Sequence, residues 1–358
     1  MKKIMFVIPA LRDGGAERVI TRLSAAIAEK GYEVYVLEFF RPTSGYELAD
    51  SVHLHSMFQN EDEYRQTSFW QRNKMMRSHI VSVQPDVVIP FLEYVCQKTQ
   101  IALIGTKYFK RVVVTLRVTP TIGNALHKLR RTISIALSCA CIAQTKSQRD
   151  YLPSFLMKKT FVIANPMDDI EVPFKENTDR FTFVAAGRLT PQKNYPLMLK
   201  AFAQVAMHRD VHLEIYGRGP QAAELEALIE ELKIADYAKL MGYSKDIIAD
   251  YRKANVFLLT SNWEGMPNSL MEAMALGMPC IATDCPTGPA ELISNGNNGI
   301  LLPVNDEQAL VDAMLKAADD VSLRCRLGSA ARSSIRAEYN LEKITEQWFS
   351  VMRGVNLL

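Results

Sequence analysis

The sequence of 358 residues lacks the features that mark several classes of protein. No apolar run approaches the ~20 residues of a membrane-spanning helix. The first apolar run ends in a Gly-rich turn without a signal-peptidase pattern. The six cysteines show neither metal-ligand spacing nor a disulfide framework. These absences predict a cytoplasmic protein whose thiols are free.

What the sequence does have is an asymmetry of charge. Residues 1–170 contain 23 Lys and Arg against 15 Asp and Glu, a net charge of +8, whereas residues 171–358 have a net charge of −5. Opposite signs in the two halves favour two domains with different partners. The length of the chain also favours two domains over one.

Basic residues of the first half form clusters, and the cluster at 127–137 predicts a helix with a basic start and an apolar remainder. Such a helix could lie on an anionic membrane surface, with Lys128, Arg130 and Arg131 as its contacts. The alternative is a helix that packs into the core and presents a solvated basic face.

Strand and helix patterns alternate along the chain. Continuous runs rich in Val and Ile predict strands at 3–10, 33–40, 86–91, 111–117, 141–145, 160–166, 181–189, 212–217, 238–242, 256–261, 279–283 and 299–303. Because most runs are continuous rather than alternating, we predict parallel sheets that are covered on both faces. The fold class is therefore α/β, with two doubly wound, Rossmann-like domains.

Residues 165–180 break the alternation with prolines and acids, and we predict the inter-domain linker there. The predicted domains are 1–167 and 168–340, followed by a C-terminal segment, 341–358. Ligands of doubly wound sheets bind beyond the carboxyl ends of the strands, so we expect a site in a cleft between the domains.

Two loops after predicted strands suit anions. Gly14 and Gly15 lie between a strand and a helix, where the backbone and the helix start can bind phosphate; the alternative is a simple tight turn. Gly-x-Gly-x-x-Gly is absent, which argues against a nicotinamide cofactor. Arg188 and Lys193 follow a later strand and could hold a diphosphate; the alternative is a pair of solvated loop cations.

A third motif places Glu264 and Glu272 on either side of Pro267. Proline suits the first turn of a helix, because its missing N–H would have no partner there. Glu264 should therefore precede the helix, and Glu272 should lie within it. The backbone N–H groups at the helix start, those of Asn268, Ser269 and Leu270, suit a phosphate.

Together these motifs resemble those of the retaining, nucleotide-sugar-dependent glycosyltransferases of family 4, which have the GT-B fold. The resemblance covers the whole chain, with E-x7-E at Glu264 and Glu272 and G-R-x4-K at Arg188 and Lys193. It is strongest to bacterial enzymes that extend lipid-linked surface oligosaccharides, including polyprenyl-diphosphate N-acetylgalactosaminyltransferases.

The resemblance implies a role for each site residue. Arg188 and Lys193 would stabilise the donor diphosphate, with Glu264 hydrogen-bonding the transferred sugar and Glu272 the ribose hydroxyls. The remaining implied donor contacts are the phosphate-binding N–H groups at Gly14, Gly15, Ser269 and Leu270, and Gly242 and Tyr243 around the base.

The resemblance also implies how the whole protein works. Residues 1–167 would bind the acceptor, residues 168–340 would bind the nucleotide-sugar, and the helix in 341–358 would cross back to the first domain. No Asp-x-Asp occurs, which fits a metal-independent enzyme with a UDP-sugar as co-substrate and no cofactor. The implied partners are a glycolipid acceptor and the inner face of the cytoplasmic membrane, and no nucleic acid.

The chain departs from the family at Arg117, which aligns with a family His near the end of the fifth strand. Arginine cannot act as a general base at neutral pH. Arg117 could instead contact a phosphate or the acceptor; the alternative is a surface arginine at a strand end. Two other functions remain open: a sugar-nucleotide-processing enzyme such as an epimerase, and a non-catalytic binding module.

Overall fold

The computed structural model describes residues 1–12, 14–120, 122–170 and 180–358. The chain divides into two compact units, Met1–Pro166 with Leu341–Leu358, and Met167–Asn340. The predicted boundary after residue 167 lies one residue from this division, and the one after residue 340 coincides with it. The central part of the predicted linker, 171–179, lies outside the described residues.

The first unit alternates strands and helices. Its elements up to residue 162 are β1 Lys3–Ile8, α1 Gly15–Glu29, β2 Glu33–Phe40, β3 Val52–Phe58, α2 Glu61–Gln66, α3 Phe69–Val83, β4 Val87–Pro90, α4 Glu93–Leu103, β5 Val113–Leu116, α5 Ala125–Leu137, β6 Ala140–Ala143, α6 Lys146–Asp150, α7 Ser154–Met157 and β7 Thr160–Val162.

Its paired strands are all parallel. Four of them pair in the order β3-β2-β1-β4 and three in the order β5-β6-β7, and a bridge between Val88 and Val112 joins the two sets. Successive residues of β1 enter two different apolar clusters, Met5 and Val7 one and Phe6 the other. Both faces of the sheet are therefore buried, which explains the continuous apolar runs of its strands.

The second unit repeats this architecture. Its elements are β8 Phe181–Ala186, α8 Tyr195–Ala206, β9 Val211–Tyr216, α9 Ala222–Glu231, β10 Ala238–Gly242, α10 Ile247–Tyr251, β11 Val256–Leu259, α11 Asn268–Leu276, β12 Cys280–Thr283, α12 Pro289–Leu292, β13 Ile300–Leu302, α13 Glu307–Asp319 and α14 Val321–Glu338. Six parallel strands pair in the order β10-β9-β8-β11-β12-β13. The predicted α/β class with two Rossmann-like domains is confirmed.

The last helix, α15 (Leu341–Gly354), belongs to the first unit. Trp348 and Phe349 are both 1% exposed. Trp348 stacks on Phe91 with ring centroids 6.4 Å apart, and Phe349 stacks on Tyr32 at 4.8 Å. These contacts bury the apolar side of α15 against the N-terminal sheet region, so the helix completes the core of the first unit.

One predicted membrane contact is wrong. Arg131 is only 5% exposed, because its guanidinium turns inwards and forms an ion pair with Glu93 of α4, with Nε and Oε1 2.6 Å apart. A side chain held in this way cannot reach a lipid surface. Lys128 and Arg130, on the same helix α5, are exposed.

The apolar side chains of α5 also differ from the core-facing alternative. Leu126, Leu129, Ile133 and Leu137 are between 48% and 55% exposed and recur at helical spacing. The buried residues of the helix are Arg131, Ser134 and Ile135, of which only Ile135 is apolar. None of the helices in the described ranges combines the length and apolar character that a membrane crossing requires.

In the second unit, α14 passes very close to the end of α11. A Cβ added at Gly328 would overlap the carbonyl oxygen of Gly277, and it would lie 3.4 Å from the nitrogen of Pro279. Gly277 itself ends α11 in the left-handed conformation, with φ of 90°. Gly328 is therefore required by the close approach of two backbones, although glycine disfavours helix interiors.

Gly328→Ala should lower the free energy of unfolding of the second unit by about 1–3 kcal/mol, because the new methyl group must displace backbone. Helix propensity alone predicts the opposite sign, a gain of about 1 kcal/mol. Gly354→Ala is the matched control, since a Cβ there meets no atom within 4 Å. Urea unfolding measured by circular dichroism checks both variants, and a stabilised Gly328→Ala would contradict the packing described here.

Candidate functional site

The two C-terminal motifs follow neighbouring strands of the second sheet. The motif at 187–194 follows β8, and the stretch 260–267 follows β11, which pairs with β8. From β8 the chain continues to β9 on one side, whereas β11 continues to β12 on the other. The strand order therefore reverses between β8 and β11, and the crevice at such a reversal is where doubly wound sheets bind ligands.

The centre of this region is an ion pair between the two motifs, in which a buried carboxylate meets a partly buried lysine. Lys193 Nζ lies 2.6 Å from Glu264 Oε1, and the side chains are 13% and 7% exposed. Ser261 Oγ donates to the same carboxylate oxygen at 2.6 Å. Glu264 Oε2 has a longer contact with Gln192 Nε2, at 3.4 Å. Oε2 is thus the oxygen of Glu264 with capacity for a further donor.

Backbone contacts join the two motifs into one structure. Thr260 Oγ1 donates to the carbonyl of Lys193 at 3.0 Å, and the Asn262 N–H donates to the carbonyl of Gln192 at 2.8 Å. The hydroxyl of Thr287, before α12, donates to the carbonyl of Glu264. Lys193 and Glu264 are 71 positions apart in the sequence. These bonds explain how two irregular loops keep them next to each other.

Small and aromatic residues shape the space around Lys193. A Cβ on Gly187 would lie 2.8 Å from Lys193 Cε and 3.1 Å from the hydroxyl of Tyr195. Burial raises the pKa of Tyr195, and the Glu264 carboxylate raises it further, so the phenol stays protonated. Gln192, Tyr195 and Ser261 were missed by sequence reasoning, because only the loop geometry brings them to the ion pair.

Helix α11 begins at Asn268, one residue later than the position of Pro267 predicts, and Pro267 occupies the N-cap position. Ser269 and Leu270 lie in its first turn, where N–H groups have no acceptor within the helix. Glu272 is within the helix, as predicted, and is 4% exposed. The loop acid and the helix acid therefore lie on either side of a helix start, as the motif requires.

Arg188 and Lys193 have different environments. Arg188 is exposed, and its side chain has no hydrogen bond or ion pair among the described residues, whereas Lys193 is only 13% exposed and is paired with Glu264. At the neighbouring strand end, the guanidinium of Arg218 lies 5.4 Å from the ring centroid of Tyr243. Gly242 has φ of 75°, and Tyr243 is 43% exposed, so this turn presents an aromatic face.

In the first unit, Gly14 and Gly15 follow β1, at the reversal between β1 and β4. Gly14 caps α1 with extended backbone, and Gly15 is its first residue. The Glu17 carboxylate occupies the space in which a Gly14 Cβ would lie, so a phosphate bound there must displace it. Glu38 is fully buried beneath the loop and accepts from the Leu11 N–H at 3.3 Å; burial raises the pKa of Glu38.

Arg117, at the end of β5, is not the surface arginine of the alternative interpretation. Its guanidinium stacks 4.0 Å from the ring centroid of Phe91 and donates to Asn165 Oδ1 at 2.8 Å. Its Nε and Nη2 are shielded from water and have no acceptor within the part of the chain described. Burial lowers the pKa of Arg117 to about 9, so it keeps its charge at neutral pH.

His53 and His55 lie on β3. Their rings contact Tyr35, with centroids 4.8 and 5.4 Å away. Across the described ranges, no group of three or more His, Cys, Asp or Glu side chains is arranged to hold a metal ion.

Comparison with protein families agrees with the motifs. The model of "Glycosyltransferase Family 4" matches residues 13–170, and that of "Glycosyl transferases group 1" matches residues 167–334. The chain belongs to the family 4 glycosyltransferases. The two matches meet at the division between the two structural units, so each unit corresponds to one conserved half of a glycosyltransferase.

Two curated glycosyltransferases are similar over almost their whole length. An alpha-1,4-N-acetyl-D-galactosaminyltransferase of Campylobacter jejuni, named for the acceptor GalNAc-alpha-(1->4)-GalNAc-alpha-(1->3)-diNAcBac-PP-undecaprenol, is 27% identical over 99% of each chain. The amylovoran biosynthesis glycosyltransferase AmsD of Erwinia amylovora is 26% identical over 98% of this chain and 100% of its own.

A solved glycosyltransferase has the same fold. TarM of S. aureus, in a complex that contains UDP, matches with a TM-score of 0.84 over 99% of this chain and 100% of its own, at 14% identity. At this identity the match establishes the GT-B fold.

The ion pair predicts that the two cations of the 187–194 motif contribute differently to stability. Lys193→Met should lower the free energy of unfolding by about 3–5 kcal/mol, because it leaves the Glu264 carboxylate buried without its counter-ion. Arg188→Met, the matched control, removes an exposed cation and should change stability by no more than about 0.5 kcal/mol.

Urea titration monitored by fluorescence measures both values. The double variant Lys193→Met/Glu264→Gln should recover most of the loss, because both charges are then absent. Equal stabilities of Lys193→Met and Arg188→Met would show that the pair is not buried as described.

Proposed function

We propose that the protein is a retaining glycosyltransferase that uses a UDP-sugar. It moves a hexosyl or N-acetylhexosaminyl unit to a polyprenyl-diphosphate-linked oligosaccharide in bacterial surface glycan assembly. The main support is the buried Lys193–Glu264 pair beside the start of α11, at the strand reversal of the second sheet. This arrangement combines a cation, a sugar-binding carboxylate and helix N–H groups within one structure.

In the proposed reaction, the bond between the anomeric carbon and the diphosphate breaks as the bond to the acceptor oxygen forms. Negative charge then develops on the leaving diphosphate. Lys193, Arg188 and the helix start that includes Ser269 and Leu270 would stabilise this charge, which removes the need for a metal ion. The acceptor hydroxyl would pass its proton to the departing phosphate, which accounts for retention without a general base.

The remaining donor contacts follow from the positions of the acids and the aromatic turn. Glu264 Oε2 has room for a hydrogen bond from a sugar hydroxyl, because Lys193 and Ser261 both bind Oε1. Glu272 would bind the ribose hydroxyls, and the exposed ring of Tyr243 would contact the base. The UDP in the TarM complex supports a uridine nucleotide.

A lipid-linked acceptor is supported by the C. jejuni relative, whose named acceptor ends in PP-undecaprenol. The surface of α5 adds physical support. Its exposed stripe, formed by Leu126, Leu129, Ile133 and Leu137, is accompanied by the exposed cations Lys128 and Arg130. An apolar stripe beside basic residues suits the surface of an anionic membrane. We therefore propose peripheral association with the inner face of the cytoplasmic membrane.

The donor is tested with UDP-GlcNAc, UDP-GalNAc, UDP-Glc and UDP-Gal, in EDTA, with synthetic polyprenyl-diphosphate-linked N-acetylhexosamine as the acceptor. At least one donor should release UDP and extend the acceptor, as measured by mass spectrometry. Arg188→Met should reduce kcat by about 10²–10³-fold, because it removes a charge that acts on the leaving group. This variant is informative because Arg188 is exposed and its loss should leave the fold intact.

Absence of UDP release from all four donors would contradict the proposed donor class. Undiminished turnover of Arg188→Met would contradict the proposed role of this residue. Hydrolysis of a donor without acceptor extension would leave the nucleotide-sugar assignment intact and overturn the acceptor assignment.

Binding of α5 to a membrane is tested by sedimentation of the protein with anionic vesicles that contain about 30 mol% phosphatidylglycerol. Leu129→Glu/Ile133→Glu should reduce the bound fraction at least about tenfold, because it places two acids in the apolar stripe. Met207→Glu/Val321→Glu is the matched control, since it makes the same changes at exposed apolar residues of the second unit. Equal loss in both variants, or in neither, would contradict the assignment of α5.

A further inference from the structure

The inward side of α5 holds the segment that joins β5 to α5. This β5–α5 segment comprises residues 117–120 and 122–124, on either side of residue 121. Arg131 Nη2 donates to the carbonyl of Ile122 at 3.2 Å, and Nη1 donates to the carbonyl of Pro120. Arg131 Nε donates to Glu93 Oε1 at 2.6 Å. One buried guanidinium therefore connects the segment to the start of α4.

The carboxylate that completes this arrangement is itself fixed. Glu93 is 8% exposed and accepts from Arg131 on one oxygen, and its other oxygen lies 2.8 Å from Nε2 of His127. It follows Leu92, a non-glycine residue with φ of 77°, a conformation that costs energy and persists only where the surroundings impose it. Glu93 is thus placed by strained backbone at the end of β4, next to the strand reversal of the first sheet.

The β5–α5 segment lies at the edge of the sheet where ligands bind. It follows the carboxyl end of β5 and begins with Arg117, whose Nε and Nη2 have no acceptor in the described residues. Thr119 is fully buried, and Gly123 has φ of 102°. Its backbone is held at Pro120 and Ile122 by Arg131, so the conformation of the segment depends on an arginine of the next helix.

A second polar link between α4 and α5 has no contact with the segment. Ser134 Oγ donates to Gln100 Oε1 at 2.6 Å, and Gln100 Nε2 donates to the Ser134 carbonyl at 2.8 Å. Both residues are as buried as Arg131 and Glu93. This link fastens the two helices without touching the segment, so it provides a control for helix packing alone.

We propose that Arg131, paired with Glu93, is a positioning residue that holds the β5–α5 segment in the conformation that binds the glycan acceptor. This inference rests on the proposed function, because it assigns the acceptor to the segment that begins at Arg117. The outward side of α5 bears the proposed membrane stripe, so the same helix fixes the acceptor segment relative to the lipid surface. Loss of the guanidinium should impair acceptor use and spare donor binding.

The test compares Arg131→Met with Ser134→Ala in three measurements. The first is hydrogen exchange of a peptide covering 117–124, which needs no substrate. The second is KM and kcat for the synthetic polyprenyl-diphosphate-linked N-acetylhexosamine, with the donor that the wild-type protein uses. The third is the Kd for UDP. Glu93→Leu/Arg131→Met is included because it removes both buried charges. It therefore leaves no unpaired charge that could unfold the protein.

Arg131→Met and the double variant should exchange at least about tenfold faster in 117–124 and raise the acceptor KM at least about tenfold. Their Kd for UDP should stay within about twofold of the wild-type value. Ser134→Ala should remain within about twofold in all three measurements, and Arg131→Lys should recover little, because lysine lacks the guanidinium fork.

Unchanged exchange and acceptor KM in a folded double variant would overturn the proposal. An equal loss in Ser134→Ala would also overturn it, because helix packing alone would then explain the effect. A wild-type protein that binds UDP but extends no lipid-linked acceptor would refute the proposed acceptor. It would not refute the role of Arg131 in fixing the conformation of the segment, which the exchange measurement reports separately.

Discussion

A carboxylate that is removed from water must be met by a cation and by hydrogen bonds, because an unpaired buried charge costs several kcal/mol. In each unit this requirement is met just beyond the carboxyl end of a strand. Glu264 is paired with Lys193 in the second unit, and Glu93 is paired with Arg131 in the first. Each pair ties one loop to another part of the chain, and such loops are otherwise the least regular parts of a doubly wound sheet.

The pairing explains how irregular loops hold precise positions. In the second unit, the loops after β8 and β11 are joined by Lys193 and Glu264, by the hydroxyl of Thr260 and by the backbone N–H of Asn262. The proposed donor site is thereby formed in advance, with its charge balanced before any phosphate arrives. Preorganisation of this kind lowers the cost of placing charge in the transition state. Arg188, exposed and unpaired within the described chain, remains available for the incoming diphosphate.

Helix α5 buries the Arg131–Glu93 ion pair on its inward side and exposes an apolar stripe on its outward side. The usual surface helix buries its apolar stripe. In α5, the inward side contains Arg131 and Ser134, each hydrogen-bonded to α4, and the stripe that includes Leu129 and Ile133 is exposed. The exposed stripe is the physical basis for proposing a lipid surface, and the inward arginine is the basis for linking that surface to the acceptor segment.

Local patterns were sufficient to predict the fold. The continuous apolar run of β1 indicated a sheet buried on both faces, and the structure places Met5 and Phe6 in different core clusters. The position of Pro267 likewise predicted Glu264 before a helix and Glu272 within it. The pairing of Lys193 with Glu264 could not be predicted, because the two residues are 71 positions apart and only the sheet order brings them together.

The error at Arg131 has the same physical origin. The sequence at 127–137 predicted a helix with a basic start, but the pattern does not say which of its basic residues faces the protein. That depends on Glu93, which lies 38 positions before Arg131, and on Gln100, which lies 34 positions before Ser134. Two non-local polar links, together with the buried Ile135, decide which side of α5 faces the protein.

The central claim is that the Lys193–Glu264 pair belongs to a metal-independent nucleotide-sugar site. Calorimetric titration of UDP in EDTA, with the wild-type protein and with Lys193→Met/Glu264→Gln, tests it most directly. The account predicts that the wild-type protein binds UDP without a divalent ion, and that the folded double variant binds it at least about tenfold more weakly, since it lacks the cation. Equal affinities, or UDP binding only when Mg²⁺ is added, would contradict the account.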